Sequence, residues 1–153
     1  MSAALAHNIL FVRQTYNHDL ALRKEKSSIY REAWNLIDEL VHETSRTIQL
    51  YPYDLDARHD KQLEVMAALS LDASSVLRKH RPFYLDEKFY KKAIKLTTMC
   101  SHERENLLNV IRHKKGDLDN YNLWDAEKEA HGQWKEIKGL YEELNADMRK
   151  LLI

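Results

Sequence analysis

Apolar residues recur along this chain at steps of three and four, the spacing that lines up one face of a helix. Leu5, Ile9, Val12, Tyr16 and Leu20 mark a first stretch, and Tyr30, Trp34, Ile37, Val41, Thr44 and Ile48 a second. Leu63, Met66, Ala73 and Leu77 form a third, flanked by Leu69 and Val76. Phe89, Ala93, Leu96, Cys100, Leu107 and Val110 give a fourth, and Ala130, Trp134, Ile137, Tyr141, Leu144, Met148 and Leu151 the most regular one. Such steps belong to the seams of nearly antiparallel bundle helices. No stretch alternates apolar and polar residues between turn signals, so no strand is predicted.

The interruptions divide the chain. Tyr51-Pro52-Tyr53-Asp54 ends the second stretch, since proline has no amide hydrogen and restricts the residue before it. Arg81-Pro82-Phe83 ends the third, and Asp86 is placed to cap the fourth. Gly116 suits a left-handed helix terminus, and Asp117-Leu118-Asp119-Asn120 precedes the last helix. Ser27-Ser28 either separates two helices or lies inside a single one of nearly fifty residues. The expected fold is all-α: an antiparallel up-down bundle of four long helices, with the N-terminal segment a fifth helix or an extension.

Composition narrows the class. The 153 residues are 44% hydrophobic and 31% charged, with 3 Gly, 2 Pro and 1 Cys. This suits one domain over residues 1–153 and excludes a disordered tail, a collagen-like fibre and a disulfide scaffold. Cys100 has no internal disulfide partner. No basic segment precedes the uncharged first twelve residues, and the run from Val65 to Leu71 is far too short to span a membrane. A soluble, cytoplasmic protein without membrane contact is expected.

The formal net charge is zero, from 24 Lys+Arg against 24 Asp+Glu, but the charges are segregated. Residues 51–115 hold 13 basic and 9 acidic side chains, whereas residues 116–153 hold 5 and 9. The densest basic run is Arg78, Lys79, His80 and Arg81, continued by Lys88, Lys91, Lys92 and Lys95, with Phe83, Tyr84, Phe89 and Tyr90 interleaved. Cations at the end of the third helix complement its dipole. Those after Asp86 occupy first turns, where the dipole opposes them, so local helix stability does not account for them. Arg78, Lys79, Arg81, Lys88, Lys91, Lys92 and Lys95 are therefore the candidate anion-binding or nucleic-acid-binding residues. In an up-down bundle Arg149 and Lys150 share that end, and Arg23, Lys24 and Lys26 join it if the chain breaks at Ser27-Ser28. Asp54, Asp56, Asp117 and Asp119 collect at the other.

Gly132, Gly139 and Ala146 recur every seven residues opposite the seam of the last helix. They form a candidate interface for a second copy or a partner helix, the alternative being a solvated face. Glu103 falls at a buried position between Cys100 and Leu107, and a basic partner is expected for it, with His131 one candidate.

Catalytic signals are sparse. One Glu-x-x-His pair, Glu39 and His42, points away from its seam, and no di-iron set, Cys-x-x-Cys, phosphate loop or nucleophile elbow is present. No metal or cofactor is expected. Arg13-x4-His18 resembles the short Arg…His spacing of small helical RNases of the HEPN type, where the two residues act across a dimer interface. That resemblance covers six residues, and the family keeps its motif late in the chain rather than in the first helix. His113-Lys114-Lys115-Gly116 is similar to the His-Lys-Gly sequence of phosphotransfer bundles, but falls at a helix end. The expected function is a non-enzymatic interaction or accessory protein, self-associating or bound to a protein partner, whose basic end holds nucleic acid or an acidic protein. The alternative is a metal-independent RNase using Arg13 and His18.

Overall fold

A computed structural model describes residues 3–50, 57–84, 87–114 and 123–151. Four helices account for almost all of them: α1 (Ala3–Leu50), α2 (Ala57–His80), α3 (Glu87–Lys114) and α4 (Leu123–Leu151). A 3₁₀ turn, Arg81–Phe83, follows α2 around Pro82 and closes with the Tyr84 amide donating to the Arg81 carbonyl at 3.3 Å. The described residues contain no strand, and the helices pack as an all-α bundle in which α1 lies on α2, α2 on α3 and α3 on α4. None of these helices is long and apolar enough to cross a membrane. The proposed breaks at Pro52 and Gly116, and the caps at Asp86 and Asp117–Asn120, lie outside the described residues.

The seams read from the sequence form one core. Tyr30, Ile37 and Val41 of α1 meet Leu63, Met66, Ala73 and Leu77 of α2. Phe89, Ala93, Leu96, Cys100 and Leu107 of α3 and Ala130, Ile137, Leu144 and Met148 of α4 complete it. Buried threonines fit this apolar interior because Thr44, Thr47 and Thr97 each donate to the carbonyl four residues earlier, at 2.8, 2.8 and 2.9 Å. Tyr30, Tyr84 and Phe89 close the upper end as a three-ring cluster with centroids 4.8–5.2 Å apart. Lower down, Trp34 stacks on Tyr141 at 5.4 Å, and the Tyr141 hydroxyl donates to Asp38 at 2.5 Å, joining α1 to α4.

Ser27-Ser28 does not break the chain: α1 runs through it for 48 residues. Serine is only moderately unfavourable within a helix, and the preceding Arg23-Lys24-Glu25-Lys26 run consists of strong helix formers. The consequence is a mismatch of length. At 1.5 Å per residue α1 extends about 72 Å, whereas α4, with 29 residues, extends about 44 Å. Residues 3–25 therefore project beyond the bundle as an arm, exposed at every position. The first apolar stretch is helical as expected but not buried: Leu5, Ile9, Val12 and Tyr16 are 52–66% exposed.

Substitution separates the bundle core from the arm. Phe89→Ala should lower stability by about 3–5 kcal/mol by emptying the aromatic cluster, whereas Phe11→Ala, on a 65% exposed site, should stay within about 0.5 kcal/mol. Denaturant melts of both variants provide the comparison.

Candidate functional site

The packing brings the basic residues to one end. His80 Nε2 lies 3.3 Å from Glu32 Oε2, which sets the end of α2 beside α1 where the arm leaves the bundle. Lys92 of α3 reaches Asp147 of α4 at 2.8 Å, so the start of α3 and the end of α4 lie together. Arg78, Lys79, Arg81, Lys88, Lys91, Arg149 and Lys150 thus share the upper end of the bundle. Although the helix does not break at Ser27-Ser28, Arg23, Lys24 and Lys26 stand there too, because α1 continues upward past Glu32. Arg23, Lys24 and Arg31 line an open shelf with Ser27, Ser28, Glu32 and Asn35. The acidic residues expected at the opposite end, Asp54, Asp56, Asp117 and Asp119, lie outside the described residues.

Arg78, Lys79, Arg81, Lys88, Lys91 and Lys95 are exposed, and Lys92 is half-buried. Lys88, Lys91 and Lys95 form a strip about 10 Å long on the outer face of α3, away from Phe89, Ala93 and Leu96. Arg81 and Lys92 have structural work within the chain. Arg81 donates to Glu87 at 2.8 Å and sits 4.5 Å over the Tyr90 ring, and the hydrogen bond to Glu87 raises its already high pKa. Lys92 is half-buried between Asp147 and Glu143, the latter at 3.7 Å, and its hydrogen bond to Asp147 likewise raises its pKa. Of the interleaved aromatics, Tyr84 and Phe89 belong to the core and Tyr90 packs against it, while Phe83 remains 58% exposed at 6.4 Å from the His80 ring.

Glu103 is completely buried, as its position in the seam implies, but among the described residues neither carboxylate oxygen has a hydrogen-bond partner, and the basic partner expected from the sequence is not found there. Arg104 next to it turns toward α2 and donates to the Leu63 carbonyl at 2.8 Å, and His131 is exposed on α4. Burial pushes the Glu103 carboxyl up to about 8, with Asn106 only partly offsetting it, so the group is protonated at neutral pH. Cys100, one turn earlier, is also held neutral by burial, its thiol pushed up to about 12, which removes it from thiolate chemistry.

The remaining candidates are on open surface. Gly132, Gly139 and Ala146 are exposed, and a Cβ added at either glycine would meet nothing within 4 Å. Glu39 and His42 are exposed, and His42 lies by Asp38 on its own helix. Among the described residues no group of three or more His, Cys, Asp or Glu side chains is arranged to hold a metal ion. Arg13 and His18 are exposed on the arm, about 140° apart around the helix. The side chain of His113 lies outside the described residues. Comparison with protein-family models, with curated proteins and with solved structures finds no match.

Two outcomes follow. The folded Glu103 carboxyl titrates near 8 and the unfolded one near 4.5, so the folded state holds the extra proton across that window. Its favourable contribution is complete below about pH 4.5 and lost as pH rises through about 8. Glu103→Gln should therefore flatten the decline and stabilise the protein at pH 9 by on the order of 2–4 kcal/mol, read from urea melts at several pH values. Separately, Gly132→Ala and Gly139→Ala should each add about 0.5–1 kcal/mol in the same melts, because open helical glycines cost entropy and protect no close contact.

Proposed function

We propose that this protein is a non-enzymatic helical interaction module that holds single-stranded nucleic acid at its basic end. The observation that carries this reading is the Lys88, Lys91 and Lys95 strip. Three exposed cations begin a helix whose dipole opposes the first of them, at the same end of the bundle as Arg78 and Lys79. A strip about 10 Å long suits a run of phosphates. The exposed Phe83 ring at the same end offers a face on which a base can stack. An overall neutral chain limits non-specific attraction to this one region.

A salt series tests it, with a short fluorescent single-stranded RNA and a duplex DNA as probes. Wild-type affinity for the single strand should fall steeply with salt. Lys88/Lys91/Lys95→Glu should weaken binding at least tenfold and flatten the log–log salt slope by about 2, from three lost phosphate contacts on a single strand. Absence of binding at low salt overturns the nucleic-acid reading and redirects the basic end to an acidic protein. Cleavage of the RNA, abolished by Arg13→Ala, would instead support the RNase reading.

A further inference from the structure

The apolar strip on the arm shares the heptad register of the bundle seam. Counting by sevens, Tyr30, Ile37 and Thr44 fall at one seam position and Ala33, Leu40 and Thr47 at the other, and all six are buried. The same count carried upward places Ile9 and Tyr16 at the first position and Leu5 and Val12 at the second, all exposed. Between the two runs the seam carries Asp19, Arg23 and Lys26. The arm therefore presents the kind of surface that α2, α3 and α4 cover lower down, beyond the reach of those helices. Four large apolar side chains in one contiguous row are unlike the scattered apolar residues of an ordinary surface.

We infer that a second copy of this chain covers the arm, with the two arms antiparallel. Charge selects this occupant and this direction. Residues 3–22 carry only Arg13 and Asp19 as formal charges, so the arm offers an acidic or basic partner helix no complement. Parallel pairing in register would set Asp19, Arg23 and Lys26 each against its own copy across the seam, which repels. Antiparallel pairing sets Leu5 opposite Tyr16 of the second copy and Ile9 opposite Val12 of the second copy. That register is self-complementary, leaves Arg23 and Lys26 outside the overlap and keeps the two bundles at opposite ends. Arms overlapping for about 25 Å bury on the order of 1,000 Å² in total, near the lower bound for a specific interface. A reversible dimer in the micromolar range is expected.

The full chain should sediment as a dimer at tens of micromolar and dissociate on dilution. Ile9→Glu should weaken association at least 100-fold, with far-UV circular dichroism and a denaturant melt confirming that the bundle remains folded. Leu10→Glu, on the same exposed arm but off the seam, should dimerise as wild type does. Direction is read by oxidative cross-linking of Ile9→Cys and Val12→Cys chains, given that Cys100 is buried. The mixture should cross-link into hetero-pairs, and each variant alone should not. A wild type that stays monomeric, equal loss in Leu10→Glu, or efficient cross-linking of Ile9→Cys with itself each overturns the inference.

Discussion

A helix can bury its seam only over the length of the helices that cover it, and α1 is far longer than any of its neighbours. That constraint organises the molecule. Where α2, α3 and α4 run alongside, the α1 seam is dry and closed at the top by Tyr30, Tyr84 and Phe89. Above those rings the same helix continues with nothing beside it among the described residues. Helical structure in the arm benefits from the nucleus already formed in the bundle, since extension costs much less than initiation. Its apolar strip nevertheless remains in water, and that uncovered surface is the largest departure here from an ordinary monomeric bundle.

The same junction concentrates charge. Asp19, Arg23 and Lys26 interrupt the seam where the covering helices end, which marks the boundary between bundle and arm. Arg81 and Lys92 pair with carboxylates, the first locally through Glu87 and the second across α3 and α4 through Asp147. The strip of Lys88, Lys91 and Lys95 along α3 is exposed. A neutral total conceals this arrangement because the compensating acidic residues belong largely to α4 and the surrounding connections.

Much of the bundle was legible in the sequence because burial follows periodicity. The α2, α3 and α4 seams were read almost residue by residue, and the full burial of Glu103 followed from its place between Cys100 and Leu107. The exposure of Leu5, Ile9, Val12 and Tyr16 was not legible, since a strip of that pattern is buried or bare according to the lengths of other helices. Continuity through Ser27-Ser28 was undecided for a related reason: serine permits a helix without requiring one. Lys92 looked equivalent to Lys91 because its partner stands 55 residues away. The basic partner expected for Glu103 is not found among the described residues, where His131, the candidate read from the sequence, is exposed on α4, and protonation is then the cheaper way to bury the carboxyl.

Amide hydrogen exchange resolved along α1, at a low and a high protein concentration, tests most directly whether this one helix lives in two environments. The account predicts strong, concentration-independent protection for residues 30–47, and weak protection for residues 5–20 that rises as concentration increases. Strong protection of residues 5–20 at every concentration would mean that the arm packs on its own bundle, and would contradict the account.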